Sequence, residues 1–148
     1  MERRIAVRAI IINNGQLLCA RLKEPITSNS RDFWCVPGGG LDDGETLINC
    51  LNREIVEELG IKPVIGNLLY VQQYKFGKQG EKEELEFFFH VTNSEDFLNI
   101  DLSKTSHGQK EIEIVTFIDP KNYNVLPKFL TTESFDMLGP EAKIFSYL

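Results

Sequence analysis

From Arg4 to Ile12 the chain is β-branched and apolar, interrupted by Arg8, which predicts a strand. Asn13-Asn14-Gly15 reads as a hairpin turn, and Gln16 to Leu22 as the returning strand. The polar stretch Glu24 to Asp32 predicts a loop, and Phe33 to Val36 a short strand stopped by Pro37 and three glycines. Thr46 offers an N-cap to a helix over Leu47–Leu59, with Gly60 just past its end and Pro63 beyond. Leu68 to Phe76 and Leu85 to Val91 read as strands around a Gly77-Lys78-Gln79-Gly80 turn. Glu95 to His107 is a polar loop with some helical turn, and Ile112 to Ile118 alternates as a strand closed by Asp119-Pro120. A terminal helix is expected from Pro140. These elements predict an α/β fold with a mixed sheet, forming one domain over 1–148.

At about 100° per residue, Ile48, Leu51, Ile55 and Leu59 gather on one face of the helix, which is expected to meet the core. Glu54, Glu57 and Glu58 fall at i, i+3 and i+4 on a separate stripe. Each like-charged pair costs a helix about 0.2–0.5 kcal/mol. Glu57 and Glu58 also sit at the C-terminal end, where the macrodipole disfavours negative charge. Helix stability therefore does not favour the stripe. Clustered carboxylate oxygens are what Mg²⁺ or Mn²⁺ takes as ligands, although a solvated acidic face gives the same pattern.

Composition narrows the functional classes. A net charge of −6 over 148 residues argues against a nucleic-acid binder, which needs a basic surface. It allows an anionic small molecule if metal ions carry the compensating charge. Cys19, Cys35 and Cys50 form no CxxC pair and read as small apolar residues of a reducing compartment. His90 and His107 lack metal-ligand spacing. No run reaches membrane-spanning length, and the basic, then apolar N-terminus lacks a small-residue cleavage site, so a cytoplasmic protein is expected. There is no GxxxxGK[ST] loop around Gly38-Gly39-Gly40, no GxSxG and no DxDxDG.

The spacing Gly39–x5–Glu45–x7–Arg53–Glu54–Ile55–x–Glu57–Glu58–x–Gly60–Ile61 fits one pattern at every fixed position, preceded by Trp34-Cys35-Val36-Pro37-Gly38 as entry strand. On these residues the sequence resembles the Nudix hydrolases, in the manner of the MutT-like members. The resemblance implies an α/β/α sandwich in which the box forms a loop–helix–loop beside a mixed sheet. It implies that Glu54, Glu57 and Glu58 bind Mg²⁺ or Mn²⁺, that the Gly38 carbonyl can complete the coordination, and that Arg53 holds the glutamates in place. Gly39, Glu45 and Gly60 are implied to be structural, Glu45 by closing the loop onto the helix; a plain carboxylate of the first helical turn is an equal reading of Glu45. A further glutamate before a late strand matches Glu111, with Glu113 as the alternative.

The implied reaction is hydrolysis of a diphosphate bond in a nucleoside diphosphate linked to a moiety X: a nucleotide sugar, ADP-ribose, a dinucleoside polyphosphate or a (d)NTP. Metal ions neutralise the diphosphate and acidify a water, whose proton a glutamate removes. Glu54 is the first choice for that base, with Glu57, Glu58 or Glu111 as alternatives. Arg21 is a candidate for a substrate phosphate, against an ordinary surface role. Tyr70, Tyr74, Phe76 and Phe87-Phe88-Phe89 are candidates to stack a base, against the core role usual in strands. The asparagine that reads oxidised guanine in MutT-type members has no good counterpart: Phe129 falls near that position and Asn124 too early. The partner implied is a nucleotide-type small molecule, with no nucleic acid and no membrane; a homodimer is compatible with the sequence. The alternative function is a nucleotide-sensing domain without turnover. Such a domain would be expected to lack a box glutamate or to carry a fused DNA-binding segment, and neither is seen.

Overall fold

The computed structural model describes residues 2–24, 32–136 and 138–147. Most of the Glu24–Asp32 loop lies outside them.

The apolar N-terminal run forms β1 (Glu2–Asn13), and Asn14-Gly15 turn it into β2 (Gln16–Leu22). Both turn residues have positive φ, 51° and 74°, which asparagine and glycine tolerate best. The Phe33–Val36 strand narrows to β3 (Trp34–Cys35). The three glycines expected to end it instead make β4 (Gly38–Gly40), laid antiparallel on Ala6–Arg8 of β1. A glycine run is a poor strand former by itself; the ladder of β1 supplies the partners that hold it extended.

After α1 (Leu47–Leu59) come β5 (Ile65–Phe76) and β6 (Lys82–Val91), both starting three residues earlier than their apolar runs suggest. Single 3-10 turns at Ser94–Phe97 and Leu102–Lys104 and a helical turn at Gly108–Glu111 lead to β7 (Ile112–Ile118). Then follow β8 (Val125–Leu126), a 3-10 turn at Lys128–Thr131 and β9 (Lys143–Tyr147). The terminal helix expected from Pro140 is therefore wrong. Residues 143–147 pair parallel with Tyr70–Tyr74 of β5, whose open edge supplies hydrogen bonds that override local preference.

The sheet is mixed, in the order β8-β3-β2-β1-β6-β5-β9, with β4 added to β1 and β7 to β2. Parallel pairing of β1 with β6 runs through ten rungs, from Glu2↔Lys82 to Ile11↔Val91. Strand alternation gives each face its own core. Val7, Ala9 and Ile11 meet Leu51, Ile55 and Leu59 of α1 on one side. Ile10, Tyr70, Phe88, Phe129 and Leu130 fill the other, where Phe129 stacks on Phe145 at 4.3 Å. This is the α/β/α arrangement, with short 3-10 segments as the second covering layer.

Two helix assignments change. Ile48 is 41% exposed and Leu47 takes the inward place in the first turn. Glu58 does not share a solvated stripe with Glu54 and Glu57: seven residues, almost two turns, after Leu51, it points to the core side and is 7% exposed. Of the aromatic candidates, Tyr70, Phe88 and Phe89 are buried, and Phe129 is core, not a surface reader of a base.

Candidate active site

Thr46 Oγ1 accepts the Asn49 N–H at 3.1 Å, and Gly60, at φ 73°, ends α1 by donating to Val56 O at 2.9 Å. Between these caps Arg53 is a hub. Its Nε and Nη2 donate to the two Glu45 oxygens at 2.7 and 2.9 Å, a bidentate pair. Its Nη1 reaches Glu54 Oε1 at 2.9 Å and Glu57 Oε2 at 3.3 Å, and Nη2 also reaches the Gly40 carbonyl at 3.1 Å. One guanidinium thus links the β4 strand, the loop carboxylate and two helix carboxylates. Glu45 additionally accepts the Asp42 N–H at 3.0 Å, which folds the loop back on itself.

The glycines make room. A Cβ on Gly39 would overlap the Glu54 carboxyl, so glycine lets that side chain lie against the strand backbone. Gly38, at φ 144°, sits so close to β1 that a Cβ would overlap the Val7 carbonyl and Arg8 Cα.

Arg53 donates hydrogen bonds that hold the Glu45 carboxyl down to about 2. Folding therefore favours its ionised form. The stability it contributes is complete above about pH 4.5 and is lost as pH falls toward 2. Glu45→Gln is expected to flatten the pH dependence of the melting temperature between pH 4.5 and 2 while leaving its slope above pH 5 unchanged. An acid limb identical to wild type would show that the pair does not matter to folding.

Glu58 shifts the other way. Burial pushes its carboxyl well above the usual range, Arg8 opposes the shift, and Glu54 and Glu111 add to it. Glu111 ends the turn Gly108–Glu111, in the electrostatic neighbourhood of Glu58. Glu113 is exposed on β7. Glu54 and Glu111 thus add negative charge around Glu58, with Arg8 as the cation acting against it. Among the described residues no three Asp, Glu, His or Cys side chains stand close enough to enclose an ion as they are, since Arg53 draws oxygens of Glu54 and Glu57 to itself. The donor chemistry nevertheless fits a hard divalent cation: all the groups are carboxylates, and one is buried without enough positive charge around it.

A cavity of about 560 Å³ is lined by Arg8 and Arg4. Its floor is made of two cross-strand rungs. Arg8 Nε donates to Glu86 Oε2 at 2.8 Å while Gln72 Nε2 donates to Glu86 Oε1 at 2.9 Å. Arg4 Nη1 donates to Glu84 Oε1 at 3.2 Å and Tyr74 Oη to Glu84 Oε2 at 2.5 Å. Phe33, Phe88, Leu126, Pro127 and Tyr147 add apolar wall. A second hollow of about 650 Å³ lies between the start of β1 and the box loop, bordered by Gly40 to Glu45 and Glu54; Arg4 lines both.

Arg21 lines neither cavity; its guanidinium lies 5.8 Å from the Trp34 ring. Asn124 is tied to Lys128 Nζ through its Oδ1 at 2.5 Å. Arg8 was legible as the one charge interrupting an apolar strand. His107, whose Nδ1 stands 3.0 Å from Glu57 Oε2, gave no signal because its partner is 50 residues away.

A profile of the NUDIX domain matches residues 2–136. The chain belongs to the Nudix family. A nucleoside triphosphatase, NudI, of Enterobacter sp. (strain 638) is 43% identical over 63 residues, covering 40% of this chain and 42% of the relative. An RNA pyrophosphohydrolase of Shewanella pealeana is 36% identical over 53 residues, 34% of this chain and 31% of the relative. These matches thus span less than half of either relative. Among solved structures, a MutT protein of Methanosarcina mazei Go1 superposes with a TM-score of 0.65 at 24% identity, over 87% of this chain and 88% of the other. A UDP-X diphosphatase superposes at 0.69 and 21%, over 97% and 68%. At those identities the likeness is one of fold. Among the described residues no helix of this Nudix protein is long and apolar enough to cross a membrane.

Proposed function

We propose that this Nudix domain hydrolyses a diphosphate bond in a nucleoside diphosphate linked to a moiety X, with Glu54, Glu57, Glu58 and Glu111 as the carboxylates that hold Mg²⁺ or Mn²⁺ and the Gly38 carbonyl as a further ligand. The observation that carries this reading is the gathering of box carboxylates by Arg53, which holds Glu54 and Glu57 together while Glu58 is buried on the same helix, with Glu54 bordering the hollow of about 650 Å³. Bound divalent ions would supply phosphate neutralisation and a more acidic water.

The chain's own residues do the rest. Arg53 fixes Glu54 and Glu57 by charged hydrogen bonds, so neither carboxylate has to be ordered when substrate arrives. Glu54, held by Arg53 through Oε1, is the carboxylate that takes the proton from the attacking water in this reading. Arg4, half exposed and shared by both cavities, is placed to meet a phosphate with the guanidinium nitrogens that Glu84 does not use. In this reading Arg4 and Arg8, and not Arg21, provide the cationic wall. The Tyr74, Phe33 and Tyr147 rings offer faces to a base or sugar. Cys19 and Cys50 are free and buried, in keeping with a reducing, cytoplasmic setting.

A phosphate-release screen over nucleotide sugars, ADP-ribose, dinucleoside polyphosphates and (d)NTPs tests this. Turnover is expected with Mg²⁺ or Mn²⁺ and none in EDTA. Hydrolysis of the best substrate in ¹⁸O-water is expected to place the label on a phosphate product, because attack is at phosphorus. Label on a sugar carbon, or full turnover without metal, would overturn the mechanism. Binding of nucleotides with no turnover of any of them would favour a sensing domain.

A further inference from the structure

The last carbonyls of a helix lack intrahelical donors and must find them elsewhere. In α1 Gly60 serves the Val56 carbonyl, and the segment Thr105–Glu111 serves that of Glu57. His107 N–H donates to the Glu57 carbonyl at 2.9 Å, and Ser106 Oγ reaches the same oxygen at 3.4 Å. The His107 side chain returns to the same residue, with Nδ1 3.0 Å from Glu57 Oε2, the oxygen that Arg53 also touches. Next in sequence, Gly108 lies so tightly on the Glu58 carbonyl that a Cβ would overlap it.

The segment is itself well braced. Thr105 Oγ1 donates to Leu102 O at 2.6 Å and accepts the Gln109 N–H at 2.9 Å. The Lys23 N–H donates to the Glu111 carbonyl at 2.8 Å, joining the end of the turn to the chain just past β2. Glu111 is thereby fixed from both sides, in the neighbourhood of Glu58.

We propose that Thr105–Glu111 is a clamp positioning two carboxylates of the site, His107 holding Glu57 from outside the helix and Gly108 letting the turn sit close enough to bring Glu111 to Glu58. The inference rests on the metal-site reading above. His107 is a positioning residue, its Nδ1 3.0 Å from Glu57 Oε2, an ion pair when the imidazole carries its second proton. The backbone half of the clamp does not depend on the imidazole, so His107→Ala removes the positioning and keeps the docking.

Mn²⁺ binding to the purified protein, followed by the paramagnetic resonance of free Mn²⁺ without substrate, reads the clamp directly. His107→Ala is expected to weaken binding at least about 10-fold, and His107→Asn, whose amide nitrogen stands near the Nδ1 position, to return it to within about 3-fold of wild type. Melting of His107→Ala in EDTA is expected to match wild type. For the second half, Glu111→Gln is expected to weaken Mn²⁺ binding, and Gly108→Ala, whose Cβ would push the turn off the Glu58 carbonyl, to weaken it at least as much. Wild-type affinity in His107→Ala, equal loss in the alanine and asparagine variants, or wild-type affinity in Glu111→Gln or Gly108→Ala would overturn the clamp. Absence of Mn²⁺ binding in wild type is a different result, and would overturn the metal-site reading together with it.

Discussion

Replacing Glu58 with glutamine is expected to lower kcat at least about 10²-fold, the loss usual for a metal ligand or its outer shell, while raising the melting temperature measured in EDTA. The two effects share one cause. Without a cation nearby, burial makes the ionised carboxylate costly, and Glu54 and Glu111 increase that cost. A carboxylate whose folded-state pKa is raised destabilises the fold progressively as pH climbs from about 4.5 through that pKa. Glutamine keeps the shape and removes the charge, so the variant's melting temperature at pH 7 is expected to rise. For a chain of this size each kcal/mol appears as about 2–4 °C. The pH slope of wild type above 4.5 should also shrink. A Glu58→Gln protein that melts below wild type in EDTA would show that the pairing with Arg8 outweighs desolvation, and that Glu58 serves the fold.

Arg53→Ala is the counterpart, predicted to lose both activity and stability. It removes the bidentate pair with Glu45, the bonds to Glu54 and Glu57, and the donor to the Gly40 carbonyl. Hydrogen bonds between charged groups contribute about 1.5–3 kcal/mol, and here several are lost together at a side chain 28% exposed. A cost of about 2–4 kcal/mol corresponds to a fall of roughly 5–15 °C in the melting temperature. Turnover should fall by about 10–100-fold, because the box carboxylates lose their common anchor. Arg53→Lys should recover little of either, since an ammonium cannot span Glu45 bidentately and reach Glu54 as well. Calorimetry in EDTA and steady-state kinetics with metal check the two halves separately. Full recovery by lysine would mean that positive charge alone, without the planar fork, is enough.

The residues of the box were legible in the chain because helix geometry is local. Thr46, Leu51, Glu54 and Gly60 lie within a few turns of one another, so spacing alone fixes the capped helix, the side of Leu51 and Ile55, and the pairing of Arg53 with its neighbours one and four residues along. The strands were legible for the same reason, through alternation, and their boundaries moved only where pairing extended them. What a periodicity cannot carry is the identity of a partner distant in sequence. That Gly38–Gly40 is a strand follows from the free ladder of β1, and that residues 143–147 are a strand and bring Tyr147 to the cavity follows from the open edge of β5. Glu58 looked like one of three surface carboxylates. Only the packing of α1 on the sheet makes it buried, and the approach of Arg8 and Glu111 from two other elements joins Glu54 of its own helix in setting its charge balance. Sequence determined the helix and its carboxylates, since those depend on contacts within about four residues. Tertiary structure decided which of them meets water, which stands against His107, and what the cavities present, because burial and hydrogen bonding there come from strands and turns tens of residues away.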